Sequence, residues 1–122
     1  MPMRSMPAIA LALLITAPAA AFADDSFGAI AYSPATGEIG WVKNDKDKDD
    51  AEQGAMAKCA EKGATDCKVA NTFKNSCAAI ATGDNGWGSN WDATRTAAET
   101  KTLATCGQYT TNCKISLSIC TE

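Results

Sequence analysis

The sequence predicts an α+β domain made of two pseudo-symmetric β-β-α-β halves, stapled by disulfides, with helices packed on an antiparallel sheet. Three observations lead there: the chain matches itself, each copy carries the same order of strand and helix signals, and all six cysteines fall within the matching region. Gly37 to Asn44 reads GEIGWVKN and Gly83 to Asn90 reads GDNGWGSN, sharing G-x-x-G-W-x-x-N without a gap. Ala29-Ile30-Ala31 and Ala79-Ile80-Ala81 precede the two motifs, and Ala51-Glu52 and Ala98-Glu99 follow them. Two copies are too few for a solenoid, so half-repeats at about 28–77 and 78–120 are expected to share one core.

The elements follow in chain order. Ala29 to Tyr32 and Glu38 to Val42 flank Ser33-Pro34-Ala35-Thr36-Gly37, whose Pro and Gly favour a hairpin reversal. Thr82 to Gly86 is a tighter turn of the same kind. A helix is expected over Asp49 to Lys62, with carboxylates in its first turn, Glu52 three residues after Asp49, and Gly63 beyond its end. Thr96-Ala97-Ala98-Glu99 reads as the capping box of a second helix that stops at Gly107. Ala51, Ala55 and Cys59, like Ala98, Thr102 and Cys106, recur every four residues and mark the inner stripes. In the last segment Cys113, Ile115, Leu117 and Ile119 alternate with polar residues and Cys120, as in a half-buried strand; Cys67 to Phe73 is a weaker copy. Both helices on one face of the sheet is the simplest packing of these parts.

The first 23 residues are expected to be a signal peptide. Arg4 supplies a positive start, Ala8 to Ala17 is apolar apart from Thr16, and Ala21-Phe22-Ala23 is a cleavage signature, so the exported domain spans 24–122. The apolar core is too short to cross a bilayer, and no membrane insertion is expected once it is removed. The remaining segment has 10 Lys+Arg against 14 Asp+Glu, a net charge of −4. Its Leu, Ile, Val and Phe number only 11, against 16 Ala, which is a poor supply of large core residues. Disulfides are the expected compensation in an exported chain, at roughly 2 to 4 kcal/mol each.

Six cysteines allow 15 pairings. The repeat narrows these to two symmetric schemes. The preferred one joins Cys59 with Cys67, Cys106 with Cys113, and Cys77 with Cys120, because short loops close at less entropic cost. Its rival pairs Cys59 with Cys106 and Cys67 with Cys113. A metal site is not expected, since no C-x-x-C pair is present and no histidine exists to complete one. Asp45-Lys46-Asp47-Lys48-Asp49-Asp50 begins like a calcium loop, but Asp50 stands where such loops need Gly and Met56 where they need Glu.

The A-I-A-Y-S-P-x-T-G opening, the G-W pair, the Ala-rich helix ending in Cys, D-C-K-V and C-A-A-I-A resemble domain-of-unknown-function family 4189, a family of small exported bacterial domains. The resemblance runs from Gly28 to Cys120. It implies export and a disulfide-bonded domain, and it brings no catalytic residue or cofactor. The Lys and Asp run at Asn44 to Asp50 departs from the family pattern.

Zero histidines exclude Ser-His-Asp and Cys-His catalysis and an imidazole switch. The acidic balance argues against nucleic acid. The expected role is a non-catalytic, periplasmic or secreted binding protein acting on an envelope or extracellular protein partner, of inhibitor or immunity type, with opposite charge favouring a basic partner. The alternative is a peptidoglycan or glycan-binding domain. Trp41 and Trp87 share a repeat position and are expected to be paired core residues, whereas Trp91 has no counterpart. Trp91, with Asn90 and Asp92, is therefore the candidate ligand contact. A cell-wall hydrolase using Glu38, Asp84 or Asp92 is the weakest reading, because Glu38 and Asp84 lie in turns and Glu52 and Glu99 read as helix caps.

Overall fold

The computed structural model describes residues 24–122; the signal peptide expected over 1–23 lies outside the described residues. The element order is β1 (Phe27–Tyr32), β2 (Ile39–Asp45), α1 (Lys48–Ala60), β3 (Lys68–Lys74), β4 (Cys77–Thr82), β5 (Trp87–Asp92), α2 (Arg95–Gly107) and β6 (Lys114–Cys120). This is β-β-α-β twice. Each half forms its own antiparallel three-stranded sheet, ordered β2-β1-β3 and β5-β4-β6.

The central strands explain the layering. β1 and β4 are buried on both faces, and their alternate residues go to two different cores. Ala29 and Ala31 join Ala51, Ala55 and Cys59 of α1, whereas Ile30 and Tyr32 join Phe73, Ala78, Ile80 and Ile119 between the sheets. The two sheets therefore pack face to face, and each helix covers the outer face of its own sheet. The helices do not share one face as the sequence suggested. Ile30, Tyr32, Phe73, Ile80 and Ile119 meet between the sheets, while Phe27 and Val42 pack on the α1 side, so most of the few large side chains are buried where the two sheets face each other.

Small residues set the helix-to-sheet distance. A Cβ on Gly40 would collide with the Ala55 carbonyl and the Cys59 amide, and one on Gly88 would collide with the Cys106 amide. These two glycines are structural equivalents, since Gly40 pairs with Ala31 and Gly88 with Ala81. The equivalence places Trp87 opposite Thr82 as Ile39 is opposite Tyr32, so the shared G-x-x-G-W motif is two residues out of structural register. The second hairpin turn is shorter by two residues, which slides its sequence along the strand. Trp87 packs against the inter-sheet core, 5.3 Å from the Tyr32 ring, while Trp41 is 40% exposed; they are not a paired core couple.

The helix starts also differ from expectation. Asp47 caps α1 by accepting from the Asp50 amide at 2.8 Å, and Thr94 caps α2 by accepting from the Ala97 amide at 3.2 Å. Each cap lies two residues before the one read from the sequence, because both Asp47 and Thr94 hold the extended backbone an N-cap requires. Glu52 is no cap; it accepts the Thr72 hydroxyl at 2.6 Å.

The disulfides join Cys59 to Cys67, Cys106 to Cys113, and Cys77 to Cys120. Cys77 opens β4 and faces Cys120 across the β4–β6 ladder, so it belongs to the second half rather than closing the first. In the first half that cross-strand position holds Phe27 and Lys74, with the Lys74 ammonium 5.8 Å from the Phe27 ring centre.

Candidate binding site

Trp91 lies on β5, an edge strand, beside β3, the facing edge strand of the other sheet. The two edges touch through Asn71, whose amide donates to the Ser89 hydroxyl at 3.1 Å. Near the α1 end of this seam Trp91 borders a recess of about 390 Å³, completed entirely by the first half: Phe27, Lys48, Glu52, Thr72, Phe73 and Lys74. The indole is 48% exposed. Such exposure is costly for a side chain as large and apolar as tryptophan. The Lys101 ammonium of α2 sits 5.4 Å from the ring centre and holds it by a cation–π contact.

The charges around the recess are tied in pairs. Lys101 also meets Asp92 at 3.5 Å, and Lys74 meets Asp25 at 3.4 Å. The Ala93 amide, with Lys101 beside it, holds the Asp92 carboxyl below the usual carboxylate range. The Asn75 amide, followed by Lys74, does the same to Asp25. Asp25 and Asp92 are therefore held as carboxylates near neutral pH, which suits them to accept hydrogen bonds.

The chain is matched over residues 27–120 by the model of a domain of unknown function, DUF4189. It belongs to the DUF4189 family. The chain is similar in fold to Rv1813c from Mycobacterium tuberculosis, solved by NMR, with 25% identity, a TM-score of 0.57, and coverage of 98% of this chain and 91% of that one. A search of curated proteins finds no match. Among the described residues of this DUF4189 chain, no helix is long and apolar enough to cross a membrane.

Of the residues singled out from the sequence, Trp91 borders the recess and Asp92 stands at its edge through Lys101. Asn90 points elsewhere. Its side-chain Nδ2 donates to the Thr105 hydroxyl at 3.1 Å toward α2, and its side-chain Oδ1 accepts from the Trp91 backbone amide. The hydrolase candidates are not assembled. Glu38 meets Lys62 at 3.9 Å, and Asp84 accepts from Thr111 and Asn112 in clamping its turn. Sequence reading missed Phe27, Thr72, Lys74 and Lys101. The first three come from the other half, and nothing in a linear sequence brings β3 beside β5.

Proposed function

We propose that this DUF4189 chain is a non-catalytic binding protein of the periplasm or extracellular space, and that it grips its partner at Trp91. The observation that carries the reading is the half-exposed indole, held by Lys101 at the mouth of a recess that both halves build. A large aromatic side chain already fixed in place gives up much apolar surface on binding and loses little conformational freedom, which is the profile of an interface anchor. Three disulfides in so small a domain support an oxidising location.

A second reading rests on the loop entering α1. Asp47, then Asp45 and Asp49, push the Asp50 carboxyl above its usual range, which marks a concentrated negative potential suited to a basic protein surface. The two are separated by one set of measurements: retention of the disulfide-bonded chain on insoluble peptidoglycan and on envelope protein, with Trp91→Ala and Asp49→Asn/Asp50→Asn variants, at low and high salt. The Trp91 reading expects at least about a tenfold loss in Trp91→Ala. Unchanged retention in that variant, with loss in the aspartate variant and at high salt, transfers the function to the acidic loop. Turnover of cell-wall material by the pure chain would overturn both.

A further inference from the structure

We infer that the Trp91 recess takes an uncharged saccharide segment, an assignment that rests on the proposed binding role of Trp91. The argument begins with charge. On a chain with a surplus of acids, the recess and its edge carry three lysines, Lys48, Lys74 and Lys101, set against Glu52, Asp25 and Asp92. Two of these sets are direct ion pairs. The site is therefore balanced, and neither a polycation nor a polyanion gains net attraction there. A neutral polyol does gain, because its hydroxyls accept from ammonium groups and donate to carboxylates through charge-assisted hydrogen bonds.

Shape and surface point the same way. The recess, about 390 Å³, falls near the small end of the roughly 300 to 1,000 Å³ typical of small-ligand sites, too small for a folded element of a partner. Its apolar surface is aromatic, from Trp91 and Phe27, each with a lysine over its ring. The half-exposed indole offers apolar surface for the C–H face of a pyranose ring. Within reach lies the Thr72 hydroxyl bonded to Glu52, an ordered pair that can exchange partners with a sugar hydroxyl.

The test uses backbone and indole NMR of the intact disulfide-bonded domain, titrated with a trimer of N-acetylglucosamine. Two further arms use an oligouronate and oligolysine at matched length. The inference expects shifts centred on the Trp91 indole, Thr72 and Lys74, with an affinity that changes less than about twofold between low and high salt. Trp91→Ala should weaken binding at least tenfold while keeping its dispersed amide spectrum, and Trp91→Phe should restore part of it. Absence of any shift with the neutral trimer up to about 10 mM, or a stronger response of these residues to either charged probe, overturns it. If the trimer fails while Trp91→Ala still loses retention on envelope protein, the ligand class falls and the binding role of Trp91 stands. If the trimer binds with shifts that Trp91→Ala leaves untouched, both fall.

Discussion

At the scale of single residues, two glycines decide how close each helix lies to its sheet. Gly40 and Gly88 sit under the backbones of α1 and α2, where any Cβ meets main-chain atoms that cannot step aside. Gly40→Ala and Gly88→Ala should each destabilise by roughly 1 to 3 kcal/mol, the range for overpacking, read as a lower denaturant midpoint with an unchanged slope. Gly37, with φ of 81° and open space around it, is strained by a side chain for a different reason and should leave the helix packing intact. None of this distinction is visible in the sequence, where the two crowded glycines occupy different places in the matching motif. Trp91 was legible as the unmatched tryptophan, but its meaning depended on Lys101 and on a strand from the other half.

At the scale of elements, each short disulfide loop does two jobs. It closes the link from helix to strand, and it carries the polar groups that pin the hairpin turn of the same half. In the first half Asp66 accepts from the Ser33 hydroxyl and from the Ala35 amide. In the second, Asp84 accepts from Thr111 and Asn112 while Thr110 and Asn85 bond to each other. The Ser33 hydroxyl, and then the Ala35 amide, hold the Asp66 carboxyl below its ordinary 3.8. A carboxylate depressed on folding contributes stability above its unfolded value, and that contribution is lost as pH falls through the folded one. Wild type should therefore exceed Asp66→Asn in thermal midpoint at pH 7, with the two curves converging as pH falls below the ordinary carboxyl value of 3.8. A constant gap down to pH 2 would show that the carboxylate charge is not what holds the turn.

The order of elements was readable because each has its own periodicity and its own breakers. The helix stripes Ala51-Ala55-Cys59 and Ala98-Thr102-Cys106 are all buried. The caps and the strand register were not readable. Asp47 competes with three neighbouring aspartates for the cap, and only backbone conformation selects among them. A turn shortened by two residues preserves a motif on paper while moving it along the strand.

For the whole molecule, stability rests on bridges that differ in what they enclose. Cys77 to Cys120 spans 43 residues, while the other two span 8 and 7. Loop-closure entropy predicts that removing the long bridge costs about 4 kcal/mol and a short one about 2.5. Guanidinium unfolding of the three paired Cys→Ser variants checks that ranking, and a long-bridge variant more stable than the short-bridge ones would refute it. The layered arrangement itself was only half legible. Alternation along β1 and β4 is hidden because both faces are buried, and small residues on one side look no different in sequence from large ones on the other.

Only Asn75 and Ser76 stand between β3 and β4, and every disulfide lies within one half. A single backbone cut there would leave two fragments, each already bridged internally, with no covalent bond between them. Their union would then be an encounter between separate molecules, so a nicked chain would hold together at high concentration and come apart on dilution. The short peptide between the sheets thus acts as a tether, replacing a concentration-dependent assembly with one that persists at any dilution.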